Sequence, residues 1–199
     1  PLLSDIFFKE LDLPAPTYAL GVGSSSRRTQ TQAIMQGMFP ILRAESWDAV
    51  LVVGDVTSTV AATMASVGVG IPVIHVEAGL RSFRWQMAEE LNRVFVDHYA
   101  QWLFTTEPSA RQHLLDENIS EEHIHEVGNV MVDTMYHMKP RVDASTILSR
   151  LDVKRDTYGV VTIHRPELID HPERLQEVWK TLIAIHASLP LIFPIHPRT

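Results

Sequence analysis

Ala49 to Val53 is an unbroken apolar run, rich in β-branched residues, that stops abruptly at Gly54-Asp55. A short run of this kind, closed by glycine, reads as a strand of a parallel sheet covered on both faces. The same grammar returns three times. Pro72 to Val76 leads into Glu77, Trp102-Leu103-Phe104 into Thr105-Thr106, and His123 to Val127 into Gly128-Asn129. Helical stretches fill the gaps. Thr57-Ser58-Thr59 reads as the cap of a small-residue helix from Val60 to Ser66. Helices are also expected over Ala88 to Ala100, over Pro108 to Glu117, and from Asn129 to about His137. This alternation with short links predicts an α/β chain built on a Rossmann-like, doubly wound parallel sheet. Ligands of such sheets sit beyond the carboxyl ends of the strands, where Asp55 and Glu77 fall.

The flanks fit the same plan. Ser4 to Leu11 reads as a short amphipathic helix. Arg27 to Arg43 has helical apolar spacing at Ile34, Met38, Ile41 and Leu42, with Pro40 predicting a kink or a late break. From Lys139 to Thr157 the chain turns charged and weakly periodic, with one short helix expected over Ala144 to Leu151. A second β-α-β unit starts at Tyr158, with a helix near Pro172 to Ala187 and a strand to Ile195. The expected organisation is an N-terminal domain over residues 1–140, a linker over 141–157 and the beginning of a second domain over 158–199. Both ends look cut, so a fragment is expected.

Composition narrows the function. A net charge of -7 without a long basic run argues against duplex nucleic acid as the main partner. The absence of cysteine excludes disulfides, thiolate catalysis and cysteine-based metal sites. No apolar run approaches the roughly 18 residues of a membrane span.

Five groups of residues carry chemistry. Asp55, at a strand end, reads as a general acid or base, or as a helix-capping carboxylate favoured by the dipole. Glu77 follows an apolar run, and burial of a carboxyl favours its protonated form, which suits proton transfer. Arg81 reads as an anchor for an anionic substrate or as a partner of Glu77. Glu89 and Arg93 lie four apart and share a helix face, although acidic residues are common in a first turn anyway. His164-Arg165-Pro166-Glu167 and His196-Pro197-Arg198 place imidazole and guanidinium groups at two neighbouring strand ends, which suits a diphosphate or marks solvated loops. No His/Asp spacing indicates a metal. His98, His113, His123, His125, His137, His171 and His186 are assigned to surface or packing roles.

The ordered set Gly54-Asp55-Val56-Thr57-Ser58-Thr59, His75-Val76-Glu77-Ala78-Gly79-Leu80-Arg81-Ser82, Glu89-Glu90-Leu91-Asn92-Arg93, Val127-Gly128-Asn129, Thr162-Ile163-His164-Arg165-Pro166-Glu167 and Pro194-Ile195-His196-Pro197-Arg198 resembles the non-hydrolysing UDP-N-acetylglucosamine 2-epimerases. The resemblance covers essentially the whole chain. It implies a GT-B-like architecture of two Rossmann-like domains. It also implies interconversion of UDP-N-acetylglucosamine and UDP-N-acetylmannosamine through elimination of UDP to a 2-acetamidoglucal. Under it, Asp55, Glu77, Glu89 and His164 look catalytic, and Arg81, Arg93, Arg165, Glu167 and His196 look like substrate contacts. No metal or redox cofactor is implied. The partner is a UDP-sugar, neither nucleic acid nor membrane; a cytoplasmic homodimer is expected. Two departures stand out: Ala88 replaces the usual proline before the paired glutamates, and Ser26 to Gln30 replaces a segment that commonly carries His and Glu. The alternatives are a hydrolysing epimerase that releases N-acetylmannosamine, a GT-B glycosyltransferase, and a sugar-nucleotide binder without chemistry.

Overall fold

The computed structural model describes residues 5–163 and 165–195. The chain divides between Asp133 and Thr134 into two units. The first opens with helices α1 (Asp5–Glu10) and α2 (Arg27–Ala44). Ser26 caps α2, its hydroxyl accepting from the Thr29 amide at 3.2 Å. Pro40 lies inside α2, which continues to Ala44. There follow β1 (Val50–Val53), α3 (Thr57–Gly68), β2 (Val73–Ala78), α4 (Ala88–Tyr99), β3 (Trp102–Thr105), α5 (Pro108–Asp116), a 3-10 turn at Glu121–His123 and β4 (Ile124–Glu126). The strands are parallel, in the order β1-β2-β3-β4. The α/β reading with a parallel sheet therefore holds.

The register explains where the core lies. Val52 pairs with His75, His75 with Leu103, and Leu103 with Ile124, so these side chains share one face. That face is covered by the helices. Val52 and Val73 pack with Val96 of α4 and with Val60 and Ala62 of α3. Leu103, Ala78 and Ile124 pack with Leu114 of α5. Strands taken in sequence order with right-handed crossovers return every helix to the same side. The opposite face carries Leu51 and Val53, which are 57% and 48% exposed. The expectation that β1 is covered on both faces is thus corrected for the described residues.

Two local expectations also change. The N-cap of α3 is Val56, without a side-chain cap, and Thr57 to Thr59 form the first turn. Thr59 donates instead to the Val53 carbonyl at 2.8 Å, pinning the start of α3 to the end of β1. Helix α6 (Val130–Asp143) runs past His137 and through Pro140, and it crosses the division between the units.

The second unit continues with α7 (Ile147–Arg150), β5 (Gly159–Val160), α8 (Pro166–Ile169), α9 (Pro172–His186) and β6 (Leu191–Ile192). Gly159 pairs with Leu191 and Val160 with Ile192, in parallel, across the α9 crossover. The Trp179 ring of α9 lies 6.0 Å from Phe193. Helix α8 was not anticipated in the sequence. Among the described residues no helix is long and apolar enough to cross a membrane.

Candidate active site

The end of β2 is irregular. Its pairing with β3 shifts between Val76 and Ala78, and Glu77, at the bulge, has φ +67°. A side chain in this left-handed region costs about 1–2 kcal/mol, so neighbouring contacts must hold it. Such a bulge re-aims a side chain at the sheet edge. The Glu77 carboxylate is partly buried and makes no hydrogen bond or ion pair among the described residues. It lies against Gly54: a Cβ on that glycine would stand 3.5 Å from Glu77 Oε2. Gly54 also has φ +67°, which glycine adopts without strain.

Asp55 follows directly and is fixed by α4. Asn92 Nδ2 donates to the Asp55 carbonyl at 2.6 Å, and Arg93 Nη2 lies 2.5 Å from Asp55 Oδ2. Both side chains of this ion pair remain about one-fifth exposed. Arg93 also reaches Glu90 at 3.4 Å. Glu89 and Arg93 lie four apart on α4, but the Arg93 guanidinium pairs with Asp55 and Glu90. Glu89 is exposed in the first turn of α4.

Beneath these carboxylates runs a buried ionic chain. His75 is fully buried. Its Nε2 donates to the Gly54 carbonyl at 2.9 Å, since a carbonyl can only accept. Its Nδ1 meets Asp97 Oδ1 at 2.6 Å. The second Asp97 oxygen accepts from the Gly79 amide at 3.1 Å and pairs with Arg81 Nη1 at 2.7 Å. Arg81 then makes a bidentate contact to Glu117, at 2.7 Å from Nε and 2.8 Å from Nη2. Its Nη1 also donates to the Leu80 carbonyl at 2.9 Å. Burial disfavours the charged guanidinium, but the Glu117 hydrogen bonds and the Asp97 charge outweigh it and hold Arg81 above its ordinary value. The Arg81 side chain is 1% exposed. Two carboxylates below the sheet edge, Asp97 and Glu117, take up the Arg81 guanidinium, so the expected pairing of Arg81 with Glu77 does not form.

Glu90 forms a second buried anchor. Its Oε2 accepts from the Ser82 amide and hydroxyl, both at 2.8 Å, and its Oε1 accepts from the Phe83 amide at 3.0 Å. Burial alone would raise its pKa, but these donors, with the Arg93 charge, hold it below the usual carboxylate range. The loop after β2 is thereby fastened to α4. Phe83 (φ +56°) sets its ring edge-on to His113, and His113 Nδ1 donates to the Gly79 carbonyl at 2.9 Å.

In the second unit, Arg165 is exposed, and its carbonyl accepts from the Leu168 and Ile169 amides as α8 begins. The backbone of Glu167 lies in α8, but its side chain lies outside the described structure. His164 and His196 lie outside the described residues. Among the described residues, no group of three His, Asp or Glu side chains could hold a metal ion.

The structure therefore brings Asp55, Glu77 and Arg93 to one sheet edge and takes Arg81 away from it. Sequence reasoning missed His75, Glu90, Asp97 and Glu117. A partial signal existed: Glu90, Arg93 and Asp97 fall at i, i+3 and i+7 and so line one face of α4. Glu117 gave none, because its partner Arg81 is 36 residues away in sequence.

The model of the UDP-N-acetylglucosamine 2-epimerase family matches residues 1–199. A UDP-N-acetylglucosamine 2-epimerase homolog of Methanococcus maripaludis is 39% identical over 199 residues, covering 99% of this chain and 55% of that protein. A UDP-N-acetylglucosamine 2-epimerase of Methanocaldococcus jannaschii is 38% identical over 202 residues, with the same coverage of each chain. The crystal structure of the UDP-GlcNAc 2-epimerase of Methanocaldococcus jannaschii in complex with UDP-GlcNAc and UDP superposes with a TM-score of 0.89 at 37% identity. That match covers 98% of this chain and 55% of the crystallised one. The chain thus spans about half the length of the curated relatives it matches. It belongs to the UDP-N-acetylglucosamine 2-epimerase family.

Proposed function

We propose that the full-length protein interconverts UDP-N-acetylglucosamine and UDP-N-acetylmannosamine in the non-hydrolysing manner. The observation that carries this reading is the Glu77 carboxylate. It is partly buried, unpartnered among the described residues and held in a left-handed bulge beside Gly54-Asp55. A strained acidic residue without an ion pair among the described residues is poised to exchange a proton with a ligand.

In this reading a carboxylate removes the C2 proton. The electron pair becomes the C1–C2 double bond of a 2-acetamidoglucal, and UDP leaves C1 with the pair of the broken C1–O bond. Protonation of C2 on the opposite face and return of the UDP oxygen to C1 complete the inversion. Asp55, Glu77 and Glu89 share this proton traffic. Arg93 holds the Asp55 carboxylate by the ion pair described above. For the second unit, proposed as the start of a nucleotide-binding domain, the assignment rests on sequence alone: His164 is catalytic and contacts UDP, and Arg165, Glu167 and His196 bind the nucleotide. The full-length protein is proposed to be a cytoplasmic homodimer.

The test is to incubate the full-length protein with UDP-N-acetylglucosamine in deuterated water and follow C2 by NMR. Deuterium at C2 together with a manno product is expected. No exchange and no manno product would sink the reading, and free N-acetylmannosamine in place of the UDP-sugar would assign the protein to hydrolysing chemistry.

A further inference from the structure

Asp97 brackets Glu77 in the sequence, bonding the residue two before it and the residue two after it. One oxygen meets His75 Nδ1 at 2.6 Å, two residues before Glu77. The other accepts from the Gly79 amide at 3.1 Å, two residues after it. Glu77 itself sits between these legs at φ +67°. His75 adds a third leg, because its Nε2 donates to the Gly54 carbonyl at 2.9 Å, in the residue before Asp55. A carboxylate needed only to balance Arg81 would not require its other oxygen to be given wholly to an imidazole. Nor would that imidazole need to reach the end of a neighbouring strand. His75 and Asp97 are fully buried, so the three legs are shielded from competing water.

We propose that Asp97 is a positioning residue which, through His75 and Gly79, staples the Glu77 backbone in its left-handed conformation and holds the ends of β1 and β2 in fixed register. Its consequence for catalysis rests on the reading of Glu77 as a proton-transfer group; its consequence for structure does not. Gly79 supports the close fit, since a Cβ there would stand 2.2 Å from the Ala110 carbonyl oxygen. The segment around Glu77 therefore has little freedom to settle elsewhere while the staple is in place.

The test compares His75→Gln and His75→Asn in the full-length protein. A glutamine amide approximates Nε2, so it keeps the Gly54 leg, drops the Asp97 leg and leaves the Arg81–Asp97 pair intact. An asparagine amide approximates Nδ1 and keeps the Asp97 leg. His75→Gln is expected to lower kcat for epimerisation about 100-fold, the cost of a misplacement on the order of 1 Å, with KM within about threefold. His75→Asn is expected to recover about tenfold of that loss. A raised KM with kcat unchanged would overturn the positioning role. The second arm reads stability and needs no catalysis. Glycine occupies φ +67° without strain, so the staple has less to hold in a Glu77→Gly background. The Tm drop caused by His75→Gln is expected to shrink there to less than half. Equal drops in both backgrounds would overturn the staple. Asp97→Asn, which keeps the side-chain volume, is carried through the same cycle in case His75→Gln does not accumulate folded. Full kcat in Glu77→Gln would remove the catalytic reading of Glu77, and the Tm cycle would still decide the staple.

Discussion

The two sides of the β2 end treat charge in opposite ways. Below it, His75, Asp97, Arg81 and Glu117 form a chain in which every charged group has a partner, and no buried side-chain nitrogen or oxygen among the described residues lacks one. Above it, the Glu77 carboxylate has no partner among the described residues, and Asp55 shares one partly exposed ion pair with Arg93. The lower tier holds four ionisable groups to the upper tier's three, and all four are engaged with one another. Partnering, more than the mere presence of acids and bases, separates scaffold from chemistry in this unit. Burial without partners would be costly, and partners without exposure would be inert.

The sharpest way to break this contrast is to neutralise a group on each side. Glu77→Gln in the full-length protein is expected to lower kcat about 10²- to 10⁴-fold, the range for losing a general acid or base, with UDP binding still measurable by calorimetry. Asp55→Asn should behave similarly. Full turnover in either variant would remove that residue from the proton traffic. Arg81→Met is expected to act on stability: it strands Asp97 and Glu117, at a cost of about 3–5 kcal/mol in chemical denaturation. A soluble, equally stable Arg81→Met protein with a raised KM would return Arg81 to the substrate and erase the contrast.

Glu90 tests a smaller step, the fastening of the loop after β2. Its folded-state pKa is depressed, so its contribution to stability is fully present above the unfolded value of about 4.3 and is lost as pH falls through the lower folded value. Glu90→Gln is expected to cost about 2 kcal/mol at pH 7, the scale of hydrogen bonds to a charged group. It should also flatten the fall in stability below about pH 4.3. Denaturation midpoints across that window check it, and an unchanged acid limb in the variant would show that Glu90 is not the titrating anchor.

The legibility of the sequence divides along the same line. The β-α alternation was readable because strand and helix periods are local, and the places of Asp55 and Glu77 at strand ends and of Glu89 in a first helical turn were readable for the same reason. The staple was not, because His75–Asp97 and Arg81–Glu117 join residues 22 and 36 apart. Arg81 shows the same limit: it stands four residues after Glu77 in a loop that looks solvated, yet its side chain is buried against Asp97 and Glu117. The exposed face of Leu51 and Val53 has a similar origin. An apolar run signals burial on both sides, whereas the side to which the crossovers return depends on strand order, which no short window contains.

The smallest prediction separates the two roles joined in Glu77. Its backbone belongs to the stapled tier, and its carboxylate belongs to the open one. Glu77→Gly removes the carboxylate and relieves the left-handed strain together, so turnover should fall as in Glu77→Gln while stability moves the other way. The gain is expected to be on the order of 1 kcal/mol, or a Tm rise of about 3 °C, offset in part by the greater entropy of a glycine in the unfolded chain. Glu77→Ala keeps the Cβ and the strain, so it should show no such rise. If alanine and glycine shift Tm equally, the strain is not stored at this residue, and the bulge alone accounts for the conformation.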